Sequence, residues 1–223
     1  MAGGASTRKP FAGAACALLL AFAAVVLAQH ALDPGLNPWR HMISEYANGP
    51  AGWLMTAGFL AWACSLFASA TIIASPSGGL LRGITQQSVA AALAIAGAGM
   101  LVTAIYPTQT SAGALPRGVH LSTTGRLHDI GSGATTLTLV VAAALSAAGI
   151  SHPRWFRPFA VSLLVGVGLA ATTLALTAGD LGGLRQRLLV MTACVWQIAL
   201  LSTVAQVTPR LHERRSPHVR PDR

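Results

Sequence analysis

The chain has 223 residues, 53% of them hydrophobic and only 9% charged, with 15 Lys+Arg against 6 Asp+Glu and a net charge of +9. Soluble domains carry about 25% charged residues, so this chain is too poor in charge to cover a soluble surface. Its apolar runs force the excess base into the segments between them, which excludes a soluble nucleic-acid-binding module and points to an integral membrane protein.

A membrane-crossing helix needs about 20 mostly apolar residues. Windows at residues 11–29, 52–74, 86–106, 130–150, 159–178 and 188–208 meet this requirement, and none contains an Asp, Glu, Lys or Arg. A charge at the centre of a span costs about 2.5–3.5 kcal/mol, so uncharged runs of this length are a strong signal. The expectation is an all-α integral membrane bundle of six transmembrane helices, one domain over residues 1–208, followed by a short basic tail at 209–223. That tail is Pro-bearing and reads as disordered, lying against anionic lipid headgroups.

The first window follows Arg8 and Lys9 and ends in Val26-Leu27-Ala28, the outline of a secretory signal. Its apolar stretch exceeds the h-region of about 7–15 residues, which favours a retained span. The loop at 30–51 comes next. Asn37 suits a helix N-cap and Pro38 the first helical position, while Asn48-Gly49-Pro50 supplies a stop. Between them Trp39, Met42, Ile43 and Tyr46 recur at helical spacing, with His41 and Glu45 stacked on another face. A short interfacial helix is predicted, with Trp39 and Tyr46 at headgroup depth.

In the later spans Gly97, Gly99, Gly131, Gly133, Gly166 and Gly168 would allow close helix approach. Thr135, Thr136, Thr138, Thr172, Thr173 and Thr177 would bond to helix carbonyls, and Gln197, near mid-span, calls for an interhelical bond. Cys16, Cys64 and Cys194 all fall within spans without a CxxC pair, and read as packing residues. No metal-ligand spacing, phosphate loop or GxSxG elbow is present, so no cofactor or metal is expected. The spans also lack the ionisable groups of an ion-coupled carrier.

Counting base by side orients the bundle. Ten basic residues, among them Arg8, Lys9, Arg82, Arg154, Arg157 and the tail arginines, share the side of both termini. The other side has five: Arg40, Arg117, Arg126, Arg185 and Arg187. Both termini are therefore expected in the cytoplasm. Fourteen of the 15 basic residues are Arg and Ala is abundant, which suggests a GC-rich bacterial genome and hence an inner membrane.

Three short motifs stand in order between the spans: Ser44-Glu45-Tyr46-Ala47-Asn48-Gly49, Gly125-Arg126-Leu127-His128-Asp129 and Leu184-Arg185-Gln186-Arg187. With them the chain resembles the bacterial membrane-protein family catalogued as domain-of-unknown-function family 998. The resemblance implies a multi-spanning protein and carries no assigned activity. Relatives often place an acidic residue soon after the proline that ends the third span, whereas Tyr106-Pro107-Thr108-Gln109 has none.

Glu45, Arg126, His128, Asp129 and Arg187 form the candidate polar cluster of the outer mouth, with His120 and Asp180 nearby in sequence. Arg126 could pair with Asp129 and Arg187 with Glu45, as ion pairs and caps that close the bundle. The same mouth could bind a lipid headgroup or a partner without catalysis. Alternatively, Glu45, His128 and Asp129 could serve a membrane-embedded hydrolase or transferase, with or without a metal.

Overall fold

The computed structural model describes residues 8–75, 81, 83–149, 156–176 and 181–213. In chain order the helices are α1 (Arg8–Leu32), α2 (Gly52–Ala74), α3 (Gly83–Ile105), α4 (Thr123–Gly149), α5 (Phe156–Leu176) and α6 (Gly182–Glu213), with a six-residue 3-10 helix at Ile43–Asn48. All-helical spans are what a bilayer dictates, because a helix satisfies every backbone N–H and C=O within its own segment. Five of them are long and apolar enough to cross a membrane: Lys9–Leu32, Gly52–Ala74, Gly83–Ile105, Thr123–Gly149 and Gly182–Ala205. The fifth sequence window is represented by a shorter apolar stretch, Phe156–Ala171, and its last two residues lie outside the described ones. The sixth helix runs past Pro209 to Glu213; residues 214–223 of the foreseen tail lie outside the described ones.

Helix α1 packs along α2, where the Phe22 ring stacks on Trp62 at 4.7 Å between centroids. Gln197 of α6 makes the interhelical bonds its position demanded. Its Oε1 accepts from Trp62 Nε1 at 3.1 Å, and its Nε2 donates to Ser65 Oγ and Ser69 Oγ at 2.9 and 3.1 Å. Ser65 Oγ in turn donates to the Ala15 carbonyl, so α1, α2 and α6 share one saturated polar chain inside the apolar core. Such a chain specifies helix register because any shift would leave amides and hydroxyls unbonded in hydrocarbon.

At the α3–α4 contact the two backbones themselves come close. A Cβ placed on Gly99 would lie 2.6 Å from the Gly131 carbonyl oxygen, and one on Gly131 would lie 2.6 Å from that of Gly99. Thr135 Oγ1 crosses this contact to the Ala96 carbonyl at 3.0 Å. Of the other glycines, Gly97 meets Phe67 and Gly166 meets Thr192, while Gly133 and Gly168 face open space and serve no close approach. Gly131→Val should therefore push α3 and α4 apart at about 2–3 kcal/mol, whereas Gly133→Val should be nearly silent. Thermal melts of the two variants in the same detergent check this, and equal melting temperatures would contradict the packing.

Candidate functional site at the loop end of the bundle

Loops 33–51 and 106–122 and the start of α6 meet at one end of the bundle. Asn37 caps as the sequence suggested: its Oδ1 accepts from Trp39 N at 2.9 Å and its carbonyl accepts from His41 N at 2.8 Å. The predicted helix then fails to propagate. Leu184 N donates to Trp39 O at 3.0 Å and Gly183 N to Arg40 O at 3.1 Å, so the start of α6 takes carbonyls that a helix from Asn37 would use for itself. Met42 is extended, and only Ile43–Asn48 coil, as a 3-10 helix. The apolar stripe is split accordingly. Trp39 is exposed, but Ile43 and Tyr46 are buried at 2% and 1% exposure, so Tyr46 is an internal residue rather than an interfacial anchor.

Arg187 is the hub of this end. Its Nη1 donates to the carbonyls of Pro38 and His41, both at 2.7 Å, and of Gly183 at 3.1 Å. Its Nη2 donates to Tyr46 Oη at 3.3 Å, and Nε donates to His30 Nε2 at 3.2 Å. His30 can accept there because its Nδ1–H is directed to the Val26 carbonyl, which fixes the tautomer. The guanidinium carbon also lies 5.7 Å from the Tyr46 ring centroid. Burial holds the Tyr46 phenol above its ordinary value, against the opposing pull of Arg187. Arg187 thus rests on neutral groups, and the expected pairing with Glu45 is absent as a direct contact.

Glu45 faces the other loop. The turn Ser111–Ala114 closes with reciprocal backbone bonds, and both of its central residues have positive φ: 52° at Ala112 and 77° at Gly113. This two-residue hairpin turn aims successive N–H groups to one side and makes an anion-binding nest. Glu45 fills it, Oε2 accepting from Ala112 N at 2.9 Å and Oε1 from Gly113 N at 2.8 Å and Thr110 Oγ1 at 3.2 Å. Asn48 adds a bond to the Thr108 carbonyl at 3.0 Å. The nest was invisible to the sequence reading; its one signal was the glycine at 113 in a loop between spans.

The remaining cluster residues do not gather around Glu45. Arg126 and Asp129 are exposed on the first turns of α4 and share no ion pair. His128 is 3% exposed, and its Nδ1–H donates to the Tyr106 carbonyl at 2.7 Å. His120 is exposed, and Asp180 lies outside the described residues. Among the described residues no three His, Cys, Asp or Glu stand close enough to hold a metal. Arg185, not singled out from its motif, is 9% exposed with Nη1 unpartnered.

Two spaces adjoin this end. Between α1 and α6 runs a groove of about 320 Å³ whose exposed lining is wholly apolar, from Phe22, Leu27, Met191 and Cys194 to Ile198, with His30 and Arg187 at one end. Inside the bundle a smaller cavity of about 60 Å³ is lined by residues including Ser44, Trp62, His128, Thr136 and Gln186. Ile43 and Val190 form a wall common to both spaces.

A family model described as a protein of unknown function, DUF998, matches residues 15–203. The chain belongs to the DUF998 family. The match reaches from α1 into α6 and takes in all three motifs that suggested the resemblance. Comparison with curated proteins and with solved structures gave no match. With its apolar helices, this DUF998 chain is a multi-pass membrane protein.

Proposed function

We propose that this protein is a six-span inner-membrane protein of a bacterium that binds a phospholipid laterally, without chemistry, at the end of the bundle facing away from the cytoplasm. Both termini are cytoplasmic in this reading, α1 is retained, and the basic segment after α6 lies on anionic headgroups. The observation that carries it is the α1–α6 groove. Its volume of about 320 Å³ is that of a small-ligand site, its exposed lining is apolar, and Arg187, hydrogen-bonded to no carboxylate, lies at one end of it.

An acyl chain gains little by leaving lipid for such a groove, since lipid tails are as apolar as its walls. Selectivity must come from the end with His30 and Arg187. Arg187 Nη2 spends one of its two hydrogens on Tyr46, and in this reading the other turns toward the groove to meet a phosphate oxygen. The rival reading as a hydrolase or transferase would need Glu45, His128 and Asp129 around one point. Glu45 instead has both oxygens in the nest, and Asp129 faces outward.

Native mass spectrometry with added lipid tests the proposal. The protein should retain phosphatidyl lipids in preference to diacylglycerol of the same chains. Ala23→Phe, which fills the groove from α1, should reduce retention about tenfold, equivalent to roughly 1.4 kcal/mol. Equal retention of the two lipid types, or no effect of Ala23→Phe, would overturn it.

A further inference from the structure

The inner cavity is separate from the groove and carries its own set of unengaged polar groups. His128 Nδ1–H is committed to Tyr106, which leaves Nε2 as a neutral acceptor with no partner among the described residues. Gln186 spends its Oε1 on the backbone N–H of Ile43, leaving its amide N–H₂ as a donor. Ser44, 2% exposed, and Thr136 have hydroxyls that no group of the described residues engages. All four residues line the one cavity, and among the described residues no Asp, Glu, Lys or Arg does.

We infer that this cavity is a binding site for a small neutral polyol. An ion would lose its hydration here with no opposite charge to replace it. A hydrocarbon would leave four polar groups unbonded, His128 and Ser44 buried and Gln186 and Thr136 half-buried, each at a cost. A molecule with several hydroxyls answers both demands: one O–H donates to His128 Nε2, one oxygen accepts from Gln186, and the others exchange bonds with Ser44 and Thr136. Its carbon face meets Trp62 and Leu163. The 60 Å³ has room for about four to six waters at 10–15 Å³ each, or for a three-carbon polyol. Glycerol is the simplest probe. The same chemistry is offered by free polyol and by the terminal glycerol of a lipid headgroup.

The test is a saturation-transfer NMR titration of glycerol against the full chain in phosphatidylcholine nanodiscs. Saturable binding is expected, about tenfold weaker in His128→Phe, which removes the acceptor. Because His128 also holds the Tyr106 carbonyl, Thr136→Leu provides a second variant that fills the cavity and leaves that bond alone. It should abolish binding while the melting temperature stays near that of the parent. Repeating the titration in phosphatidylglycerol and phosphatidylserine discs separates the sources. Competition by phosphatidylglycerol alone assigns the headgroup, and saturable binding unaffected by either lipid assigns free polyol. No saturable binding in any disc would mean that the cavity holds water only, and unchanged affinity in Thr136→Leu would place the ligand elsewhere. Either result overturns the inference. The groove and its Ala23→Phe test are untouched by these variants, so the two readings fail independently.

Discussion

Arg187→Ala is expected to lower stability by about 3–5 kcal/mol, the largest effect of any side chain at the loop end. The guanidinium bonds three carbonyls, a phenol and an imidazole, joining α1, loop 33–51 and α6. A hydrogen bond to a charged group is worth about 1.5–3 kcal/mol, but these bonds share one cation and do not add. Alanine would leave the Pro38 and His41 carbonyls without their donor beneath the start of α6. Arg187→Lys should recover less than half of the loss, because an ammonium offers three donors and no planar fork. Unfolding in mixed micelles, followed by tryptophan fluorescence, measures both variants. A lysine variant as stable as the parent would show that charge alone holds this end.

Glu45→Ala is expected to cost about 3–4 kcal/mol and to release loop 106–122 selectively. The carboxylate satisfies two backbone N–H groups and the Thr110 hydroxyl, and it compensates a non-glycine residue at positive φ. Left-handed backbone costs an alanine about 1–2 kcal/mol, so without its anion the turn has reason to open. Glu45→Gln keeps the shape and one acceptor oxygen but loses the charge, and should fall about midway. Limited proteolysis should cut Glu45→Ala within residues 111–120 at a rate well above the parent. Equal rates would contradict the anchoring role.

What the sequence discloses here follows from the kind of interaction. Helices are legible because lipid excludes charge: a bare run of 20 residues has one stable outcome. Gln197 was legible for the same reason, since a mid-span amide must find partners and the Ser65–Ser69–Trp62 face supplied them. Gly99 and Gly131 announced a close contact without naming their partners. The loop end was read less well because its bonds run from side chains to backbone. Charges invite pairing with opposite charges, so Glu45 with Arg187 and Arg126 with Asp129 were the natural expectations. The observed acceptors of Arg187 are mostly carbonyls, and the donors to Glu45 mostly amides. Every residue has these groups, so no letter marks them. His128 and Asp129 were grouped as neighbours, yet successive helical positions lie about 100° apart, and one faces the cavity while the other is exposed.

The bonds from Gly183 and Leu184 to the carbonyls of Arg40 and Trp39 also bear on how the molecule is made. They link positions more than 140 residues apart, and the acceptors leave the ribosome long before the donors. Chains lengthen at about 5–20 residues per second, so loop 33–51 waits several seconds or more, with α1 and α2 already made, before its last partner exists. The start of α6 acts as a latch that can close only after both acceptors have long been made. A chain halted before residue 182 would hold most of the described helices yet leave the Trp39 and Arg40 carbonyls without the donors that close this end.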